Sequence, residues 1–412
     1  MITREDIHWI IDCDPGCDDA VALALAASQL PEETKVELLT VAGNVSVELT
    51  TWNALRVLAA CGKSWRVYRG TNSSLSGEAV PAASVHGRDG LGDVPNNVFG
   101  VEPRRPEPES AVRRLVELGS DTRKFVLVCT GPLTNLASAL NLMSPEKQRD
   151  FWRRCQICVV MGGAFETHGN ITASAEFNTH FDPVSTHLVL ESWRVVRIGQ
   201  VDWLRPIHFV PLDITEKVGI PLHAINTHSS VKGCSPASRF LLAALRKYGL
   251  FHSRSCIRPR DKNGLVFDIK EFEVRPYLEE RVAGKTGLTH LGSFCYLHDP
   301  LAMWVALNHR RRGFDRWWSD AQVAMDISPG VGRGRFIRHS MEKLQDGPSR
   351  ASILGTKVKW LDPKKFGAAK RVEFVSCIKQ LLGISQPSRR KSTSRVAKLT
   401  SNQRPDARNP RY

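Results

Sequence analysis

The chain has no apolar run long enough to cross a bilayer; a spanning helix needs about 20 consecutive apolar residues. Its first residues, Met1-Ile2-Thr3-Arg4-Glu5-Asp6, carry no apolar segment of the secretory type. Its last, Asn409-Pro410-Arg411-Tyr412, carry no peroxisomal Ser-Lys-Leu signal. The expectation is a cytoplasmic protein without membrane contact. No internal repeat is visible, and no long linker divides the 412 residues before residue 383. One large domain over residues 1–383 is therefore expected. Ten cysteines lack a framework spacing, which argues against a disulfide scaffold. Cys155-x-x-Cys158 has redox or zinc spacing, but no second pair follows, and the bland reading is two cysteines at the start of a strand.

Negative charge is also in short supply. Asp and Glu number 42 against 57 Lys and Arg, a net charge of +15. Much of the excess is local. Residues 384–412 hold eight basic residues against Asp406, a net +7. That tail has almost no large apolar residues, so disorder is expected. It offers contact with nucleic acid or an anionic surface, or is a solvated tail with no specific partner.

The body of the chain is 42% hydrophobic and 24% charged over the whole sequence, as in globular proteins with a sizeable core. His8–Ile11 reads as a first strand, followed by an Ala- and Leu-rich helix over 19–27. Residues 35–42 and 66–70 read as strands around a helix over 51–61. Phe125-Val126-Leu127-Val128-Cys129 and Ile157-Cys158-Val159-Val160-Met161 are continuous apolar runs, the pattern of strands buried on both faces of a parallel sheet. Strands alternating with helices imply an α/β fold, an open, mainly parallel, Rossmann-like sheet flanked by helices. Two stretches look added: Gln200–Ile207, before a strand-like 208–213, and the polar residues 252–290.

Against the general deficit of acid, Asp12, Asp14, Asp18 and Asp19 crowd into eight residues between the first strand and the first helix. Like charges this close raise each other's pKa unless a cation neutralises them. Oxygen-only ligands favour a hard metal, Ca²⁺ or Mg²⁺. Gly16 lets the backbone turn sharply. The bland alternative is helix capping by Asp18 or Asp19, which needs one carboxylate rather than four. In an open α/β sheet, ligands bind beyond the carboxyl ends of the strands, where this cluster falls.

Asp-x-Asp-x-Gly-x-Asp-Asp resembles the start of the nucleoside hydrolase family, the inosine–uridine-preferring ribohydrolases. Further matches follow in the family's order: Val41-Ala42-Gly43-Asn44; Val85-His86-Gly87-Arg88-Asp89-Gly90-Leu91-Gly92; Cys129-Thr130-Gly131-Pro132-Leu133-Thr134-Asn135; Met161-Gly162-Gly163 with Gly169-Asn170 and Glu176-Phe177-Asn178; and His298-Asp299-Pro300. The resemblance covers roughly residues 7–383. It implies hydrolysis of the N-glycosidic bond of ribonucleosides to a free base and ribose, in nucleobase salvage. It implies one Ca²⁺ held by Asp14, Asp19, the Thr130 carbonyl and Asp299, and a homodimer or homotetramer. By the same resemblance Asp14 is the base that activates water, and His298 is the acid beside the leaving nucleobase. Asp18, Asn170, Glu176 and Asn178 match residues that hold ribose hydroxyls, and Asn44 and His86 match positions beside the pocket.

For Asp299 alone the bland role is a helix N-cap before Pro300, and the two roles can coexist. His86 reads equally as a loop histidine. The segment Gly162–Gly169 is slightly longer than the family's pattern, and no tyrosines align ahead of His298-Asp299, so the preferred base is not readable. Two other classes stay open: a haloacid-dehalogenase-like phosphatase with Asp12 as nucleophile, and a non-catalytic relative that binds nucleosides or, through its tail, nucleic acid.

Overall fold

The computed structural model describes residues 7–77, 79–95, 103–198, 205–228, 235–255, 294–330, 332–339 and 356–384. The strands are β1 (His8–Cys13), β2 (Val36–Thr40), β3 (Arg66–Arg69), β4 (Glu107–Ser110), β5 (Phe125–Cys129), β6 (Cys155–Met161), β7 (Ile207–Val210), β8 (Gly219–Pro221), β9 (Phe294–Tyr296), β10 (Trp318–Met325), β11 (Phe336–His339) and β12 (Thr356–Leu361). Ten of them form one sheet, in the order β11-β10-β12-β7-β6-β5-β1-β2-β3-β4. All neighbours pair in parallel except β10, which runs antiparallel to β11 and β12 at one edge. β8 and β9 form a small antiparallel ribbon.

The apolar runs explain the centre of this sheet. Every residue of β1, β2 and β5 is buried. Alternate residues serve two cores. Ile11, Leu38, Val128 and Val159 face the core that includes the helix Cys17–Gln29 and the helix His298–Leu307. Ile10, Leu39, Leu127 and Val160 face the other, with the helix Thr134–Leu142. This period of two, hidden on both sides, is why the strands read as unbroken apolar runs.

Most expected elements appear with shifted ends. The second helix spans Val47–Ala60, beginning before Thr51, because Ser46 offers an extended N-cap position. The strand-like segment 208–213 divides: β7 ends at Val210, and Leu212–Thr215 is a helical turn. Cys155 and Cys158 lie in β6, both buried free thiols, as the bland reading had them. Of the two added stretches, 199–204 and 256–293 lie outside the described residues, as does the tail 385–412. Among the described residues no helix is long and apolar enough to cross a membrane.

The chain order places β1 between β2 and β5, so successive connections leave in opposite directions from that pair. Such a switch point opens a crevice at the carboxyl ends of the strands. Below it, on β1 and β2, lies a buried charge cluster. Arg114 Nε donates to Glu37 Oε2 at 2.7 Å, and His8 Nε2 lies 3.2 Å from the same oxygen. Burial alone would raise the Glu37 pKa, but the hydrogen bonds from His8 and Arg114 outweigh it and bring it down to about 2.

Candidate active site

β1 delivers Asp14 to the crevice, and the chain turns at Pro15-Gly16 into the helix Cys17–Gln29. Asp18 and Asp19 occupy its first turn, where the helix dipole favours negative charge. The Gly16 N–H donates to Asp19 Oδ2 at 2.9 Å, which closes that turn. β5 ends at Cys129, so Thr130 follows directly, and its hydroxyl donates to Asp19 Oδ1 at 2.8 Å. The helix beginning at His298 packs on the helix Cys17–Gln29 and brings Asp299 to the same point, its N–H 3.4 Å from Asp18 Oδ2. Asp18, Asp19 and Asp299 thereby place carboxylate oxygens within 4.8 Å of one another, all three buried.

Asp14 stands beside this triangle. The Asn44 N–H donates to Asp14 Oδ2 at 2.8 Å, and Asn44 Nδ2 donates to the Asp14 carbonyl at 2.9 Å and to Asp19 Oδ2 at 3.2 Å. Asn44 thus ties the turn after β2 to both acids. The backbone approaches Asp14 very closely. A Cβ on Gly43 would lie 2.1 Å from Asp14 Oδ2, and one on Gly131 would lie 2.8 Å from Asp14 Oδ1. Only glycine leaves that space.

Electrostatics fit a cation. Burial raises the pKa values of Asp14, Asp18, Asp19 and Asp299, to about 7 for Asp18. Next after burial, Asp19 raises Asp14 and Asp18, and Asp18 raises Asp299. Four buried acids that resist ionisation, three of them partly because of their acidic neighbours, form a poor structural device. They form a good receptor for a hard divalent cation, which removes both penalties. All donors are oxygen, and the Thr130 carbonyl, which accepts Asn178 Nδ2 at 2.8 Å, keeps a second lone pair.

The remaining predicted residues fall into three groups. Asn178 is buried against Thr130 and joins the site. Glu176 caps the helix Phe177–Phe181: Oε1 accepts the Asn178 N–H at 2.8 Å, and Oε2 accepts Gly163 and Thr179 N–H, each at 3.1 Å. Oε1 retains capacity for a hydroxyl donor. Asn170 is exposed, and its Oδ1 accepts the Phe177 N–H at 2.9 Å, so here it braces the loop rather than reaching the acids. His86 is buried. Its Nδ1 accepts the Cys17 N–H at 3.1 Å, and burial lowers its pKa to about 3. His298 is also buried and pushed down by burial, to about 4, and its Nδ1 lies 2.7 Å from Thr215 Oγ1. Both imidazoles are neutral near pH 7.

Two residues at the site, Tyr248 and Thr215, carry no sequence signal of the kind used above, and a third, Asn135, ends a matched motif without an assigned role. Tyr248 stacks on His86 at 5.1 Å and hydrogen-bonds Asp18. It comes from the helix Pro236–Ser255, where its spacing reads only as an apolar face. Asn135 donates to Asp12 Oδ1 at 2.8 Å and to the Thr40 carbonyl at 3.0 Å, bracing β1 against β2. Thr215 meets His298 only through the fold. Asp12 lies within β1 rather than beyond its end, fully buried, with its pKa raised to about 7 by burial. That placement suits a supporting acid rather than a phosphatase nucleophile.

An open, mainly parallel sheet with a buried carboxylate cluster at its switch point is the arrangement of an α/β protein that binds its ligand there, and the cluster could hold a metal ion. Comparison with known proteins gives the family. The profile for inosine-uridine preferring nucleoside hydrolases matches residues 9–368, and the chain belongs to that family. An inosine-uridine preferring nucleoside hydrolase of Leishmania major is 32% identical over 266 residues, which are 63% of this chain and 75% of that one. A pyrimidine-specific ribonucleoside hydrolase, RihA, of Photobacterium profundum is 37% identical over 215 residues, 51% of this chain and 62% of that one. For several such curated relatives the matched segment spans about three fifths of their length. A plant nucleoside hydrolase structure, PpNRh1, superposes with a TM-score of 0.68 at 24% identity, covering 92% of this chain and 99% of the other, which shows the fold.

Proposed function

We propose that this chain hydrolyses the N-glycosidic bond of ribonucleosides, releasing a nucleobase and ribose, with Ca²⁺ as its cofactor. The observation that carries this is the buried cluster of Asp14, Asp18, Asp19 and Asp299 at the switch point, in a chain of the nucleoside hydrolase family. Asp14, Asp19, the Thr130 carbonyl and Asp299 would hold the cation. When bound, it would make water more acidic and neutralise the cluster.

The chain's own residues supply the rest. Asp14 takes the proton of the attacking water. With the cation neutralising its neighbours, the Asp14 carboxylate would be ionised and able to accept that proton. Asn44 holds the Asp14 carboxylate in one orientation through its N–H. The C1′–N bond breaks with positive charge developing on the ribosyl group, as in other glycosyl transfers, and the acids around it favour that charge. His298, the general-acid candidate, offers its ring N–H to the departing base. Asp18, Asn178, the free acceptor capacity of Glu176 and, by way of loop movement, Asn170 bind ribose hydroxyls; Asn44 and His86 line the pocket. Residues 1–383 form the catalytic domain and 384–412 an added basic tail with polyanion contact as its candidate role. A homo-oligomer acting in cytoplasmic salvage completes the proposal.

The test is ribose release from inosine, uridine, adenosine, guanosine and cytidine, with Ca²⁺ and with a chelator. Metal-dependent release supports the proposal, and the rate order supplies the base preference. No release from folded, Ca²⁺-supplied protein refutes it.

A further inference from the structure

The turn Leu212–Thr215 follows β7 and carries two polar side chains, both buried, aimed at different parts of the site. Asp213 accepts the N–H groups of Phe165 (2.8 Å) and Glu166 (2.6 Å), which holds the loop after β6. Thr215 Oγ1 lies 2.7 Å from His298 Nδ1. Thr215 is wholly buried, and its backbone is already committed: its N–H donates to the Pro211 carbonyl, and its own carbonyl accepts from Val218.

A hydroxyl has one hydrogen, and a neutral imidazole has one. Two arrangements fit the 2.7 Å contact. If Nδ1 carried the ring hydrogen, it would donate to Oγ1, and the Thr215 hydrogen would need another acceptor. Among the described residues Oγ1 has no hydrogen-bond partner except His298. That arrangement buries an orphaned hydroxyl hydrogen. The other has Thr215 donating to Nδ1 and the ring hydrogen on Nε2, an atom that is not among the buried side-chain nitrogens left without a partner. The cost of one unsatisfied buried donor biases the two by about tenfold or more.

We propose that Thr215 is a positioning residue for the leaving-group step: its hydroxyl donates to His298 Nδ1, fixes the ring orientation and keeps the ring hydrogen on Nε2. This rests on the reading of His298 as the group that meets the departing base. The step it serves is simple. The C1′–N bond electrons leave with the base, the Nε2–H of the neutral ring donates a hydrogen bond to the base nitrogen that gathers this charge, and that nitrogen takes its proton from solvent, so the ring stays neutral throughout. Threonine is suited because its hydroxyl donates to Nδ1 while its β-methyl limits the rotamers from which it does so. Nothing in the local sequence announces this role, because Thr215 and His298 are 83 residues apart.

The test uses Thr215→Val, which keeps shape and removes the hydroxyl, and Thr215→Ser, which restores it. Each is assayed with Ca²⁺ on a nucleoside that the wild type cleaves and on p-nitrophenyl β-D-ribofuranoside, whose phenolate leaves without a proton. Thr215→Val should lose about 10- to 100-fold in kcat on the nucleoside, with KM within about threefold, in line with the loss of an oriented donor to developing charge. Thr215→Ser should recover most of that loss. Both variants should cleave the nitrophenyl riboside at near wild-type rate. ¹⁵N spectra of histidine-labelled protein, with the His298 signals assigned by comparison with His298→Ala, should show Nε2 protonated and Nδ1 bare in the wild type. Thr215→Val should show a mixture.

Equal losses on both substrates would mean that Thr215 merely supports the fold, and would overturn the assignment. Full nucleoside activity in Thr215→Val beside a crippled His298→Ala would overturn the Thr215 role alone. Full nucleoside activity in His298→Ala would overturn the reading of His298 as the donor to the departing base, and the Thr215 role with it.

Discussion

Replacing Gly43 by alanine tests how tightly the backbone grips Asp14. The added Cβ would meet Asp14 Oδ2 at 2.1 Å, Asp14 Cγ at 2.9 Å and Pro132 Cδ at 3.0 Å. A relaxed contact needs more than about 3 Å, so Asp14 or the Gly43 backbone must move by roughly 1 Å. The backbone is held by the bond from the Gly43 N–H to the Val45 carbonyl, and Pro132 crowds the same Cβ. The carboxylate therefore swings, and it breaks its 2.8 Å bond from the Asn44 N–H. Overpacking of this kind costs about 1–3 kcal/mol in stability. Misplacing a reacting group by 1 Å costs about 10²-fold in rate. Thermal unfolding should fall by a few degrees, and kcat/KM for ribose release should fall about 100-fold at saturating Ca²⁺. Gly162→Ala is the control at the same end of the sheet. Its Cβ meets Glu176 Oε2 at 3.4 Å, an ordinary contact, so activity should stay within severalfold of wild type. Wild-type kcat/KM in Gly43→Ala, with unchanged melting, would refute the close-approach argument.

The metal-free protein should lose stability as pH rises. The folded pKa of Asp18 is raised to about 7 from an unfolded value of 3.8, so its favourable contribution is complete below about pH 4 and is lost as pH passes 7; denaturant titrations with chelator should show this fall, and Ca²⁺ should abolish it. Asp19→Asn should raise the melting temperature of chelated protein while eliminating the Ca²⁺-induced rise, since Asp19 is the largest charge acting on Asp14 and Asp18; a normal Ca²⁺ shift in that variant would count against the proposed ligand set. Glu37 works in the opposite sense: its pKa of about 2 lies below the ordinary 4.5, so its stabilisation is present above pH 4.5 and disappears as pH falls toward 2. Arg114→Met should cost about 3 kcal/mol by leaving that carboxylate buried without its main partner, and urea denaturation would measure it. Ribonucleosides should be hydrolysed far faster than 2′-deoxyribonucleosides, because a site built to bond a hydroxyl rejects the analogue without it; comparable rates would defeat the assignment of the sugar-binding residues. Asp14→Asn should abolish hydrolysis while Asp12→Asn, a supporting position, retains a measurable rate, and the reverse order would favour Asp12 as the reacting group.

The sequence by itself determined the elements and most of the acids. Continuous apolar runs at 125–129 and 157–161 reported burial on both faces, and that condition belongs to a parallel sheet. The crowding of Asp12, Asp14, Asp18 and Asp19 reported a cation-seeking site, because four adjacent carboxylates are unfavourable in any fold that leaves them uncompensated. Where chain order decides contact, local pattern was silent, and only the family resemblance had brought Asp299 to the acids. The arrival of Asp299 at Asp18, the stacking of Tyr248 on His86 and the bond from Thr215 to His298 join residues 281, 162 and 83 positions apart. None of these pairs has a local spacing to betray it. The strand order, with β1 set between β2 and β5, and the packing of two helices from opposite ends of the chain brought them together. Local pattern shows which side chains seek a partner; only the packed fold decides which partner each one meets.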